Sequence, residues 1–312
     1  MSRKPATNVA ASVHQRLLSI ATSRGEEMQS VLTRYALERL LYRIGQSRHR
    51  PTLVLKGAFL FVAWEGTAAR PTKDLDLLAF GEPEVPRFEE IFRGICAQEA
   101  PDDGLAFDSS SVRGQPIREA SRYDGIRIKL LARLGNARIP LQVDIGFGDA
   151  IQPPPADIDY PTLLDFPAPR VKGYLRETVV AEKFEAMVAR GSVTSRLKDY
   201  YDIWLLSQNF EFDLYQPAIA LAATFEQRGT SLPVHTPPCL TRDFTSNPGR
   251  IRQWEKLVRR FDSGGSVPPL ETAAARIETF LMPAVNATDT RPKSPATWTP
   301  GGPWSQTPSR NR

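Results

Sequence analysis

The chain has 312 residues, of which 41% are hydrophobic and 24% are charged, so it can bury a substantial core and form two lobes. No apolar run reaches the roughly 18 residues of a membrane span, and Met1 to Pro5 lead into no apolar signal core, so we expect a cytoplasmic protein with no membrane partner. Cys96 and Cys239 lie far apart, which argues against a disulfide framework or a zinc knuckle. The net charge of +5 and the pI of about 9.3 fit a polyanionic partner without proving one.

The first 50 residues form a predicted N-terminal helical segment. Apolar residues recur at helical spacing from Val13 to Ala21 and again from Met28 to Leu41, with Gly25 between the two stripes. This pattern predicts a helical hairpin. Its basic residues are compatible with an RNA-facing surface and with an ordinary solvated helix face.

A strand, a glycine turn and a helix are predicted next. The run 52–56 is apolar and strand-like, Gly57 follows it, and 58–64 is compatible with a helix. Backbone N–H groups at such a helix start form a site for anions, including a nucleotide phosphate. Gly57 allows the backbone to approach the phosphates closely.

Asp74 and Asp76 carry most of the chemical information in the chain. They lie at i and i+2 in the predicted strand 73–80, so both side chains point to the same face. Two like charges flanked by Leu75, Leu77 and Leu78 repel each other unless a cation or hydrogen-bond donors lie between them. A divalent metal ion meets that requirement.

A third carboxylate, Asp144, lies in a predicted hairpin formed by 125–133 and 137–146 around Gly135-Asn136. A helix over 86–99 and a strand over 105–112 are predicted before it. If Asp144 lies on a strand beside Asp74 and Asp76, the three carboxylates form a site for two Mg²⁺ ions. In that arrangement Asp144 can also accept the proton of an attacking hydroxyl, and the reaction is nucleotidyl transfer.

The second half of the chain is predicted to be helical. Prolines in 151–172 predict a connection without regular structure between a core of 51–150 and a C-terminal lobe of 173–282. Helices are predicted in that lobe over 178–190, 196–206, 219–228, 250–261 and 271–281. The remainder, 283–312, is rich in Pro, Gly, Ser and Thr and is predicted to be disordered.

A second charged cluster lies in this helical region. Lys183 is either a salt-bridge partner of Glu185 or another neighbour, or a point charge that holds a triphosphate. Asp199 and Asp202 are one helical turn apart and share a face. They can bind a base or sugar edge, hold Lys183 in place, or cap the start of a helix, and the sequence leaves these three roles open.

Six blocks of this sequence resemble the nucleotidyltransferase AbiEii/AbiGii toxin family, and they occur in the family's order. The blocks are residues 14–18, 55–58, 70–78, 143–149, 177–186 and 196–202. The resemblance implies an α+β, bilobed fold with a polymerase-β-like nucleotidyltransferase core, a helical C-terminal lobe and an active site between them. It further implies that Mg²⁺ and a nucleoside triphosphate (NTP) are used, that tRNA is a partner modified at its 3′ end, and that a cognate antitoxin neutralises the toxin.

The resemblance also suggests roles for individual residues. The family's metal carboxylates map onto Asp74 and Asp76, its helical lysine onto Lys183, and its later acidic motif onto Asp199 and Asp202. The chain departs from the family at Gly57-Ala58, where a Gly-Ser or Gly-Gly pair is usual. With the residues beside these motifs included, the expected nucleotide-binding set is Lys56, Gly57, Ala58, Arg70, Thr72, Lys183, Arg196, Lys198 and Asp202.

The leading hypothesis is an Mg²⁺-dependent nucleotidyltransferase toxin that modifies an RNA acceptor end. The same metal site would serve an enzyme that modifies a small molecule or a protein side chain, because the acceptor is chosen by other surfaces. A module that binds NTP without turnover is a third hypothesis, to which Ala58 points.

Overall fold

The structure is a computed structural model that describes residues 8–65, 73–118, 124–194, 196–261, 266–288 and 296–306. The chain divides into two compact units. Unit 1 comprises Met1–Gly148 and Ala156–Tyr174, and unit 2 comprises Asp149–Pro155 and Leu175–Arg312. None of the helices in the described ranges has the length and apolarity that crossing a bilayer requires.

Unit 1 is built on a mixed sheet of seven strands in its described part, in the order β3-β4-β5-β2-β1-β7-β6. The strands are β1 Leu53–Lys56, β2 Asp74–Ala79, β3 Leu105–Arg118, β4 Asp124–Leu134, β5 Ala137–Phe147, β6 Ala156–Asp159 and β7 Arg170–Gly173. β2 pairs in parallel with β5 and antiparallel with β1, so it lies in the middle of the sheet. The predicted strands and the β4–β5 hairpin are confirmed.

The helices of unit 1 are α1 Val9–Arg24, α2 Met28–Gln46, α3 Phe59–Glu65 and α4 Val85–Cys96. The predicted helical hairpin is confirmed: Asn8 accepts a hydrogen bond from the Ala11 N–H at the start of α1, and α1 ends at Gly25 in the left-handed conformation. Phe88 of α4 packs edge-on against Phe147 of β5, with 5.2 Å between ring centroids. α4 therefore covers the apolar face of the sheet.

Unit 2 is mainly helical, as predicted. Its helices are α5 Arg176–Arg190, α6 Leu197–Asn209, α7 Tyr215–Arg228, α8 Arg242–Thr245, α9 Pro248–Phe261 and α10 Leu270–Asn286, with short 3-10 turns at Gly191–Val193 and Pro238–Leu240. Phe184 of α5 packs against Phe225 of α7. A small sheet in the order β10-β9-β8 is formed by β8 Phe212–Asp213, β9 Ala296–Trp298 and β10 Trp304–Gln306.

Two segments that the sequence assigned to irregular structure contain strands. Within 151–172, β6 and most of β7 add two strands to the sheet of unit 1, because β7 pairs in parallel with β1. Within 283–312, assigned to a disordered tail, α10 continues to Asn286 and β9 and β10 follow. Trp298 is fully buried there and packs against Phe280 at 4.9 Å between ring centroids, so aromatic burial orders a segment whose overall composition favours disorder.

Candidate active site

Asp74 and Asp76 lie on one face of β2. The strand alternates, so Leu75 and Leu77 are buried on the opposite face while the two aspartates are half-buried. This alternation separates an apolar face, which α4 covers, from a charged face. The charged face is the candidate active site of unit 1.

Asp144 joins the two aspartates on the charged face through the pairing of β2 with β5. In that parallel register Asp76 lies opposite Asp144, and Asp74 lies opposite Gln142. On the other side of β2, Asp76 lies opposite Lys56 of β1. Carboxylates from two adjacent strands thus share one face of the sheet.

Arg127 of β4, a residue that no sequence motif marks, holds Asp144 in a bidentate ion pair. Its Nε and Nη2 donate to the two oxygens of Asp144, both at 2.8 Å, and the Gln142 amide donates to the same carboxylate at 3.3 Å. The hydrogen bonds to Asp144, together with the charges of Asp144, Asp74 and Asp76, raise the pKa of Arg127. The charged face therefore includes its own cation beside the three carboxylates.

Gly57 lies against the side chain of Asp76. Its φ of +72° favours glycine, and a Cβ built at this position would lie 2.2 Å from Oδ2 of Asp76. Ala58, which follows it, is buried. The absence of a side chain at Gly57 allows the Asp76 carboxylate to pack against the turn.

Lys56, at the end of β1, belongs to the same row across the sheet as Asp76. Its ammonium group lies 5.5 Å from the centre of the Tyr174 ring, a cation–π contact. Arg70 and Thr72, which the sequence analysis assigned to nucleotide binding, lie outside the described residues.

In unit 2, Lys183 of α5 lies between Asp199 and Asp202 of α6. The Lys183 Nζ is 3.0 Å from Oδ1 of Asp199 and 2.6 Å from Oδ2 of Asp202, whose side chain is 0% exposed. Arg196 donates to the other oxygen of Asp199 at 2.6 Å. The sequence left three roles open for Asp199 and Asp202. In the structure both side chains contact Lys183, which is the role of holding this lysine in place. Lys198 is exposed on the same helix.

The salt bridge expected of Lys183 is formed with other neighbours, Asp199 and Asp202, while Glu185 pairs with Arg228. Glu185 accepts a hydrogen bond from Arg228 at 2.8 Å, and Arg228 also bonds Asp149 at 2.9 Å. Burial lowers the pKa of Arg228, but the charges of Glu182 and Asp149 and the bonds to Glu185 and Asp149 outweigh it and raise that pKa. The acidic residues of α5 thus anchor Arg228, while Lys183 faces α6.

The residues of the charged face fit a hard divalent cation. Carboxylate oxygens are the ligands that Mg²⁺ prefers, and Mg²⁺ is usually held by one or two carboxylates together with substrate phosphates. Asp74 and Asp76 supply two carboxylates on one face. No three His, Cys, Asp or Glu side chains of the described residues are grouped closely enough to hold a metal ion by themselves. The donor set therefore suits a cation completed by a phosphorylated ligand.

Solved structures that are similar to this chain include two from Helicobacter pylori. JHP933 is 13% identical with a TM-score of 0.49, and the match covers 84% of this chain and 94% of that chain. A second structure, titled a "putative nucleotidyltransferase", is also 13% identical with a TM-score of 0.47, and covers 84% of this chain and 97% of that one. A search of curated proteins finds no match.

A family model matches most of the chain and confirms the resemblance found in the sequence. It spans residues 39–276 and is described as nucleotidyl transferase AbiEii toxin of type IV toxin–antitoxin (TA) systems. The matched region includes β2, β5, α5 and α6, which carry the acidic residues and the lysine described above. The chain belongs to the AbiEii family of nucleotidyl transferase toxins of type IV TA systems.

Proposed function

We propose that this protein is an Mg²⁺-dependent nucleotidyltransferase that transfers a nucleoside monophosphate from an NTP to an RNA acceptor such as the 3′ end of tRNA. It acts in the cytoplasm as a toxin, and a cognate antitoxin neutralises it. We assign a polymerase-β-like nucleotidyltransferase core to unit 1. The observation that carries the proposal is the contact of the Gly57 turn with Asp76, on the face that also bears Asp74 and Asp144.

The proposed reaction is a displacement at the α-phosphorus of the NTP. A hydroxyl oxygen of the acceptor forms a bond to that phosphorus, and the bond from phosphorus to the bridging oxygen of pyrophosphate breaks. The hydroxyl proton passes to a base, and pyrophosphate leaves with the electron pair. The atoms and charges balance without any redox partner.

Unit 1 supplies the residues for this chemistry. Asp74 and Asp76 would hold Mg²⁺, which would neutralise charge on the triphosphate and make the attacking hydroxyl more acidic. The Gly57 turn lets the Asp76 carboxylate lie directly against the turn, since Asp76 Oδ2 occupies the place that a Cβ would take. Both oxygens of Asp144 accept bonds from Arg127, and each oxygen keeps a second lone pair with which Asp144 can act as a base or a metal ligand.

We assign a role in triphosphate binding to Lys183. Asp199 and Asp202 orient its ammonium group through contacts of 3.0 and 2.6 Å. A lysine held by two carboxylates on a neighbouring helix has little rotational freedom, which lowers the entropy lost when it binds a phosphate. Arg196 and Lys198 provide further positive charge beside this pair.

The test is transfer of label from each α-labelled NTP to total tRNA in the presence of Mg²⁺. We expect labelled tRNA with the wild-type protein and none with Asp76→Asn. The matched control is Asp165→Asn in the same unit, since the Asp165 side chain is 97% exposed. This control should keep wild-type transfer.

Equal transfer by Asp76→Asn and wild type would overturn the proposal, and so would the absence of label transfer with every NTP. The same labelled NTPs can be incubated with the protein and a cell lysate. Label recovered there only in a protein band or in the small-molecule fraction would overturn the assignment of RNA as acceptor while leaving the reaction class intact.

A further inference from the structure

A cleft of about 380 Å³ opens beside Asp74, where β2 begins and β5 extends beyond it. Among the described residues, β2 pairs with residues 142–147 of β5, and β5 continues before residue 142 in its pairing with β4. The first two turns of α2, the start of β2, residues 129–130 of β4 and residues 140–142 of β5 line this cleft. We call it the notch.

The notch has a mixed polar lining. Lys73 and Lys129 are exposed cations on it, and Lys129 lies opposite Gln142 in the β4–β5 register, which in turn lies opposite Asp74. Ser30 and Thr33 of α2 add hydroxyl groups. The acidic groups on the notch are Asp74, which we assign to the metal ion, and Glu27 at the start of α2.

The order of strands across the sheet places the notch on one particular side of the reacting centre. In the sheet, β2 lies beside β1, β5 lies beyond β2, and β4 lies beyond β5. The Gly57 turn comes directly after β1 in the chain and so lies on the β1 side of β2. In a displacement at phosphorus, the incoming and leaving oxygens lie roughly in line on opposite sides of the phosphorus atom. If pyrophosphate leaves at the Gly57 turn, the acceptor enters over β5 and β4, which is where the notch lies.

We infer that the notch is the acceptor site and that Lys73 and Lys129 bind backbone phosphates of a single-stranded RNA end. This inference rests on the proposed function. The volume suits a terminal nucleotide, because small-ligand sites start at about 300 Å³. Hydroxyl and amide groups from Ser30, Thr33 and Gln142 suit ribose hydroxyls and base edges, while the two lysines suit a ligand with more than one phosphate along its length.

RNA binding by variants that each remove either a positive or a negative charge from the notch tests this site. The probe is a short, fluorescently labelled single-stranded RNA ending in a 3′ hydroxyl, measured by anisotropy at several salt concentrations. Each of Lys73→Gln and Lys129→Gln should weaken binding about fivefold at 0.1 M salt and reduce the salt slope by about 0.7. Glu27→Gln should strengthen binding, because it removes a negative charge from the same cleft.

The matched control is Arg48→Gln. Arg48 is exposed and lies just past the C-terminal end of α2, a helix about 28 Å long by its rise per residue, whereas the notch lies at the N-terminal end. The control should bind RNA like the wild type. Equal loss in Arg48→Gln, or unchanged RNA affinity in both lysine variants, would overturn the inference.

Steady-state kinetics separate the acceptor site from a nucleotide site. The lysine variants should raise the KM for RNA and leave the KM for NTP unchanged, and the reverse pattern would overturn the inference by assigning the lysines to the triphosphate. The proposed function and this inference fail in different ways. If wild type transfers label and the lysine variants behave like wild type, only the acceptor site is wrong; if wild type transfers nothing, the proposed reaction itself is wrong.

Discussion

At the residue scale, the position of Gly57 against Asp76 explains why this turn requires glycine. Two independent restrictions act here: the positive φ disfavours any other L-residue, and the Asp76 side chain occupies the place of a Cβ. The second restriction joins the turn to the chemistry, because any side chain at 57 must displace the carboxylate that we assign to the metal ion.

We expect Gly57→Ala to abolish nucleotidyl transfer and to lower the free energy of unfolding by about 2–4 kcal/mol, from backbone strain and the clash together. Label transfer and urea unfolding measure the two effects. The control is Gly135→Ala, because Gly135 has a φ of +57° but no heavy atom within 4 Å of an added Cβ. It should lose about 1 kcal/mol from strain alone and retain activity. Retained transfer in Gly57→Ala would contradict this account of the turn.

The position of Arg127 on the charged face follows from the strand register and from no motif in the sequence. The hairpin turn pairs Leu134 with Ala137. Seven residues farther from the turn on each strand, Arg127 lies opposite Asp144. The alternation on β4 then puts its guanidinium on the charged face. The sequence predicted the carboxylates because acidic residues in apolar strands are unusual, whereas an arginine on a strand is common and attracts no notice. Only the strand register gives Arg127 its significance.

At the scale of elements, α2 is fixed within unit 1 by buried charged residues. Arg43 pairs with Asp103 at 2.7 Å, and Arg39 donates two hydrogen bonds to the Pro167 carbonyl. Glu38, 1% exposed, accepts a hydrogen bond from the Leu163 N–H at 2.8 Å. A single helix therefore holds both the segment before β3 and the segment between β6 and β7.

Burial raises the pKa of Glu38 to about 7 despite the Leu163 hydrogen bond and the charges of Arg39 and Arg34. A carboxyl group with a raised pKa binds its proton more tightly in the folded state. Its contribution to stability is therefore complete below pH 4.5, the ordinary value, and is lost as the pH rises through about 7. The shift corresponds to a loss on the order of 3 kcal/mol across that window.

Glu38→Gln should remove this pH dependence, since the amide does not titrate and its oxygen can still accept from Leu163. We expect the unfolding free energy of wild type, relative to this variant, to fall between pH 5 and pH 8. Urea unfolding at several pH values measures it, with the exposed Glu82→Gln as control. Parallel pH curves for wild type and Glu38→Gln would show that burial does not shift the titration of this group.

The elements differ in how well local sequence predicts them. β2 and the β4–β5 hairpin were predictable because alternation and turn residues act over a few positions. β7 was not, because it pairs with β1, which is more than 100 residues earlier in the chain, and β6 in turn pairs with β7. β9 was not predicted because the Pro and Gly residues around it favour irregular structure. Trp298 and Trp304 nevertheless indicated order in this segment, because tryptophan pairs are rare in disordered segments.

At the scale of the whole molecule, the family assignment concerns toxicity, whereas the side chains of the two units concern a chemical reaction. The match over residues 39–276 assigns the chain to a family of toxins. The charged face of unit 1 and the lysine of unit 2 support a reaction. Toxicity should therefore depend on the same side chains as transfer, if the reaction is what inhibits growth.

This dependence is testable in cells. We expect induced expression of the wild-type chain in a bacterial host to arrest growth, and Asp76→Asn at equal protein levels to permit it, because the variant lacks a carboxylate of the proposed metal site. Asp165→Asn, which changes an exposed aspartate in the same unit, should remain toxic. Sequencing of tRNA 3′ ends from the arrested cells should show added nucleotides with wild type and Asp165→Asn but not with Asp76→Asn. Growth arrest by Asp76→Asn as strong as that by wild type would separate toxicity from the carboxylates of β2 and show that some other property of the chain inhibits the cell.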